Sequence, residues 1–394
     1  MVLRATKPEF NTRSSLREPP YKELDPSIDY SVTKDPGIRT GRNMVINGCM
    51  RFSQRATTYT PASTAYGSLD RWKAVISQGS KISISQASDG IIPNNLSNYY
   101  AHIQVAATHS VGTSQFFLFW QSIEGNIFSQ SQFGSAEAKP LTLSFWVRSN
   151  AKGKFGGSLE NNAQNRSFPW YVDIEELNEW EYKTVHIPPC RDGTWNTTTS
   201  AGAYLMFSMG TSIAGGLSNY DWQGSQKLGP VEEVRRVELF TSTYVDITGV
   251  QLEVGSEASP FDYKSYQEEF ALCQRYFNVW PPRSGGTPAW PVYTGGSQAS
   301  AYIWIPYTMR AIPTPTDKGT GTSTTTGHAY NNNGASVSTR YANGTSPTLS
   351  CGGDTANGHY ALKMDFGSYS SGGHEADIAS WNGASPGIFL DSEL

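Results

Sequence analysis

The run Leu141-Thr142-Leu143-Ser144-Phe145-Trp146-Val147-Arg148 places Leu141, Leu143, Phe145 and Val147 at every second position. Successive side chains of a strand point to opposite faces. This spacing therefore suits a strand with one buried face, whereas a helix would repeat its apolar positions every three or four residues. Lys81-Ile82-Ser83-Ile84-Ser85 alternates in the same way, and 99–107 sets Tyr99, Ala101, Ile103 and Val105 together. Similar runs occupy 181–187, 203–209 and 244–254. In the last, Val245 and Ile247 share one face while Val250, Leu252 and Val254 share the other, with Gly249 between them. A glycine at a phase flip predicts a β-bulge.

Composition points the same way. Aromatic residues make up 12%, charged residues 16%, and there are 38 glycines. Many turns, many aromatics and few charges suit short strands and disfavour helical bundles. Long Gly- and Asn-rich loops between the strands predict a jelly-roll sandwich rather than a tight meander. One helix is expected. Ser265-Tyr266-Gln267-Glu268 reads as a capping box, Tyr266, Phe270, Cys273 and Phe277 form an apolar stripe, and Pro281-Pro282 ends it.

Residues 1–42 carry scattered prolines and charges and no period. They are expected to form an extended arm that docks on another chain. Beyond the helix, Ala301–Ile305, His359–Phe366 and Ile388–Leu390 read as strands, and 317–350 is rich in Thr, Ser, Asn and Gly. So polar a stretch has little apolar surface to bury alone, and a core shared between protomers would supply the burial. The expected fold class is all-β. An extended arm (1–42) precedes a jelly-roll sandwich (43–264), a helical connector (265–280) and a smaller C-terminal β domain (281–394).

The net charge of −4 leaves no basic excess for phosphates, so nucleic acid is not expected as a partner. The first residues lack the apolar core of a signal peptide, and no apolar run is long enough to span a bilayer. Synthesis in a cytoplasm without membrane insertion is the expectation. Cys49, Cys190, Cys273 and Cys351 are scattered and read as buried thiols. The six histidines form no ligand motif, and no nucleophile elbow or phosphate-binding glycine loop is present. The acidic run Asp173–Glu179 lacks calcium-loop spacing and reads as a solvated surface. No cofactor, metal or catalytic residue is expected, and the chain is read as not an enzyme.

Several phrases then become recognisable in order: Asn43-Met44-Val45-Ile46-Asn47-Gly48, Phe52-Ser53-Gln54-Arg55, Leu69-Asp70-Arg71-Trp72, Thr248–Gly255, Leu272-Cys273-Gln274-Arg275-Tyr276-Phe277, Pro306–Thr314 and the final Asp391-Ser392-Glu393-Leu394. Together they resemble phage tail-fibre and minor structural proteins with a carbohydrate-binding-like jelly roll. The resemblance covers about residues 43–394. It implies a bacteriophage virion protein, a tail fibre or receptor-binding subunit that attaches the particle to host surface glycan. It further implies a homotrimer located in the virion, with other virion proteins as partners through residues 1–42. A purely structural fibre, adaptor or capsid-surface subunit would match the same phrases, and a glycan depolymerase is a third reading. Asp70, Arg71, Trp72, Gln251, Glu253 and Arg275 also read as residues that hold the fold, with Arg275 able to bridge the helix to the sandwich.

Sugar sites use flat aromatic faces with amides and carboxylates nearby. The candidates for glycan contact are loop aromatics: Phe168-Pro169-Trp170-Tyr171 after an Asn-rich stretch, Trp195 in a polar loop, and the cluster Tyr220-Asp221-Trp222. The other reading is that they pack beneath loops or between protomers, where aromatics are also enriched.

Overall fold

The computed structural model describes residues 42–90, 97–216, 221–280, 289–295, 298–306, 308–317, 328–330, 348–354, 359–368, 377–380 and 388–394. Residues 1–41 of the expected N-terminal arm and the residue Tyr220 lie outside them; Arg42, the last residue of that arm, lies on this chain, with Nη2 donating to Pro260 O at 2.5 Å. Two antiparallel sheets form the sandwich. One runs in the order Thr58–Tyr59, Ile82–Ala87, Tyr100–Val105, Tyr244–Val254, Leu141–Ser149, Glu181–Ile187. The other runs Trp72–Ile76, Phe116–Glu124, Ala201–Thr211, Gly153–Asn161, Ser167–Ile174. The expected all-β class holds.

Alternation fills the space between the sheets. Leu141, Leu143, Phe145 and Val147 are fully buried and meet Phe117, Phe119, Leu159, Leu205 and Phe207 from the facing sheet. Trp72 opens its strand in the core and stacks on Phe119 at 4.6 Å. Burying each such side chain contributes about 1.5–3 kcal/mol, offset by the entropy of ordering it.

The bulge lies where the phase flip predicts it. The register between Tyr244–Val254 and Leu141–Ser149 shifts between Thr248 and Gln251, and Gly249 has φ 62°. The segment after Arg42 seals this irregularity. Val250 N donates to Gly48 O at 3.0 Å, and Asn43 Nδ2 donates to Val250 O at 3.0 Å. A Cβ on Gly48 would lie 2.2 Å from Val250 O, so the approach requires glycine.

The helix is Tyr266–Gln274, with the Ser265 hydroxyl accepting from Glu268 N at 3.1 Å. It is shorter than the apolar stripe predicts, because Phe277 begins the strand Phe277–Trp280 instead. Cys273 is buried while Tyr266 is 56% exposed. Phe277–Trp280 and Thr314–Asp317 flank Ile388–Asp391 in a three-stranded sheet, and six further strands form a second C-terminal sheet.

The last residues are tied back to the sandwich. Arg55 pairs with Asp391 at 2.9 Å and with Glu393 at 3.4 Å, and Arg71 pairs with Glu393. The Arg71 guanidinium lies 3.4 Å from the Tyr276 ring centroid, and that of Arg55 3.5 Å from the Phe277 centroid. Asp70 instead accepts from Gln54 N and Gln54 Nε2 at 2.9 and 2.7 Å, and burial raises its carboxyl to about 6.

Candidate functional site

The outer face of the six-stranded sheet should be polar by alternation. The strand Leu141–Ser149 sends Thr142, Ser144, Trp146 and Arg148 there, opposite the core residues. Register places Tyr182 beside Trp146 and Thr184 beside Ser144 on one side. Thr248 and Gln251 are their neighbours on the other. Trp146 and Tyr182 form a pair with ring centroids 5.3 Å apart and planes tilted 50°.

A wall rises beside this pair. After Val254 the chain turns at Gly255 and returns over the sheet. Two buried side chains hold it: Glu253 accepts from Ser259 N at 2.8 Å, and Gln251 accepts from Asp262 N at 2.8 Å. Arg42 adds an ion pair to Glu253 at 3.2 Å. Gln251 and Glu253 thus hold the fold. The wall presents Pro260, Phe261 and Tyr263, with the last two rings 5.3 Å apart.

Sheet and wall enclose a groove of about 500 Å³. Trp146, Tyr182, Phe261 and Tyr263 supply its aromatic surface, Ser144 a hydroxyl, and Gly249 a floor without a side chain. Tyr182 on the sheet is 45% exposed and Tyr263 on the wall 54%, high values for aromatic rings that line one cleft. Elsewhere on this face the cation is already paired. Arg148 donates to Asp246 at 2.9 Å and Asp89 at 2.7 Å, and lies 4.7 Å from the Trp180 centroid. His102 Nδ1 meets the other Asp246 oxygen at 2.6 Å.

The residues singled out by sequence lie elsewhere. Trp170 does not sit in a loop. It lies within the strand Ser167–Ile174, points inward with Phe168 and Val172, and is 2% exposed against Phe207 at 5.4 Å. It is a core residue and offers no face to a ligand. Tyr171, its neighbour, points to the other side, where the Lys154 ammonium lies 3.7 Å from its ring centroid. Trp195 is buried, stacks on Phe128 at 5.2 Å, and donates Nε1 to Asp192 O at 3.1 Å. Trp222 meets Trp195 edge-on at 5.5 Å and donates Nε1 to Pro188 O at 2.9 Å. Asp221 is exposed and accepts from Trp222 N at 2.7 Å. The structure brings Trp195 and Trp222 together beneath loops, and Trp195 also lines a cleft of about 250 Å³ with Phe128, Phe133 and Asn196. Trp146 and Tyr182 were legible in principle, since each is a large ring on the polar side of an alternating strand.

No protein-family model matches the chain, and no curated protein matches it. Solved structures give distant likenesses to a phage tailspike domain and to carbohydrate-binding modules. The enzymatically active domain of tailspike protein 4 of bacteriophage CBA120 aligns over 54% of this chain and 22% of that one, with 12% identity and a TM-score of 0.29. TmCBM61, solved with β-1,4-galactotriose, aligns over 54% of this chain and 99% of its own, with 13% identity and a TM-score of 0.26. The family 11 module of Clostridium thermocellum Lic26A-Cel5E aligns over 52% and 100%, with 12% identity and a TM-score of 0.25.

Proposed function

We propose that the groove between Trp146, Tyr182, Phe261 and Tyr263 binds glycan. On this reading the chain is a bacteriophage structural protein, a tail fibre or receptor-binding subunit, that attaches the particle to its host. The observation that carries the reading is one cleft lined by an aromatic pair on the sheet and another on the wall, with a hydroxyl and a glycine at its floor. Pyranose rings present apolar faces and a rim of hydroxyls, and such a surface takes both. The ordered phrases from Asn43 to Leu394 support the virion assignment.

Attachment on this reading is binding without chemistry. Glu253 and Asp262, two carboxylates at the wall, are engaged in holding it. Single sites of this size bind weakly. A homotrimer repeated around a particle would convert weak contacts into firm attachment. The arm of residues 1–42 would join other virion proteins.

The test is competition. Purified full chain should block adsorption of the particle that carries it in a dose-dependent way, and Trp146→Ala should abolish the blocking while remaining folded. A folded wild-type chain that fails to block would point to a purely structural subunit.

A further inference from the structure

The wall of the groove has a second side. Phe261 and Tyr263 also line a crevice with Asn47, Arg51, Lys264 and Glu269. The charged groups there differ in what they already hold. Lys264 pairs with Asp262 at 3.4 Å, and its side chain is 7% exposed. Glu269 accepts from Asn47 N. Arg51 is half-buried, and its guanidinium makes no hydrogen bond or ion pair among the described residues. The other arginines of this face are engaged, Arg42 with Glu253 and Arg148 with Asp246 and Asp89.

The charge of Arg51 acts on the Glu269 carboxyl in the same crevice, but without a hydrogen bond, so among the described residues its five N–H donors, set in a rigid planar fork, hold no acceptor. That fork matches a carboxylate or phosphate through two parallel hydrogen bonds. Partial burial beside two rings weakens its solvation and strengthens such a contact. We propose that the glycan of this groove is acidic, and that Arg51 selects it by holding a carboxylate or phosphate substituent beyond the Phe261–Tyr263 wall. This rests on the groove being the glycan site. A saccharide crossing the wall would set one ring against Trp146 and Tyr182 and bring the charge of a neighbouring unit to Arg51. Arg51 is thus a specificity residue, and the aromatic groove supplies contact that neutral and acidic sugars share.

The experiment uses the full chain on a printed array of oligosaccharides. Each uronic-acid member is paired with its carboxyl-reduced form, and each phosphate-bearing member with its dephosphorylated form. Bound members should be acidic, with capture weakened roughly tenfold by neutralisation. Arg51→Gln should erase that difference while leaving capture of the neutral forms in place, and Trp146→Ala should lose both. Whether the preference follows carboxylates or phosphates identifies the group. Equal capture of acidic and neutral partners, or an unchanged preference in Arg51→Gln, would overturn the proposal and leave the groove as the glycan site. Capture of no member, or capture indifferent to Trp146→Ala, would overturn both readings.

Discussion

Arg275 meets Glu124 with two parallel hydrogen bonds, Nε to Oε1 at 2.9 Å and Nη2 to Oε2 at 3.1 Å. Glu124 ends a sandwich strand and its side chain is fully buried, whereas that of Arg275, just past the helix, is 25% exposed. The pair bridges the helix to the sandwich. It also makes the two partners unequal, because only one of them can return to water when the other is removed.

Arg275→Met should therefore cost about 3–5 kcal/mol, since it leaves a buried carboxylate without its cation. Glu124→Gln keeps an acceptor in place and leaves a cation that reaches solvent, so its cost should be on the order of 1 kcal/mol. Urea unfolding of both variants checks the asymmetry, and equal costs would refute it.

Glycine at 157 is required by space. A Cβ there would lie 1.8 Å from Met206 O and 2.6 Å from the Trp170 ring. Gly157→Ala should destabilise by about 3 kcal/mol or more. At Gly216 an added Cβ meets nothing within 4 Å. Gly216→Ala is the control, and its unfolding midpoint should match that of the wild type.

Glu160 stands on the outer side of the five-stranded sheet, fully buried, and one of its carboxylate oxygens has no hydrogen-bond partner. Burial raises its carboxyl from 4.5 to about 8. The folded chain thus holds the proton more tightly than the unfolded chain. Its contribution to stability is greatest below pH 4.5 and falls as pH rises to about 8. Glu160→Gln should be nearly neutral at the acid end and increasingly stabilising across that window. Guanidinium titrations at several pH values check this, and a gain that shrinks with rising pH would contradict it.

Trp222 and Trp146 should separate stability from binding. Trp222→Ala removes contacts to Phe133, Phe168 and Trp195 and a hydrogen bond to Pro188 O, and should cost about 2–3 kcal/mol. Its capture of glycan should be unchanged below the melting range. Trp146→Ala should show the reverse pattern in thermal unfolding and glycan capture.

The sandwich was legible because its strands alternate cleanly. Leu141 to Val147 predicts its own buried face, and the phase flip at Gly249 marks the bulge. The helix was placed by its capping box but read too long, because Phe277 fits a helical stripe as well as a strand facing Phe389. The groove was not legible as a whole. Its wall comes from residues after Val254, and its floor from strands distant in sequence, so register brings Trp146 to Tyr182 and the chain's return over the sheet brings Phe261 to both. Trp170 misled because aromatic residues after an Asn-rich stretch suggest a loop. Reading Phe168, Trp170 and Val172 as a period of two would have placed it in the core. Trp195 and Trp222 do belong to loops, yet their rings turn inward. The polarity of the surrounding residues carries no information about that choice.

The ties from Arg55 and Arg71 to Asp391 and Glu393 have a mechanical consequence. A tether of backbone alone would act as a hinge. Here a pull on the terminal strand loads two arginines rooted in the sandwich, and their rings of contact resist shear as well as stretch. Torque applied at the terminal strand should therefore pass to the sandwich as rotation rather than be lost in bending. Whatever orientation that end is given, the groove is aimed with it.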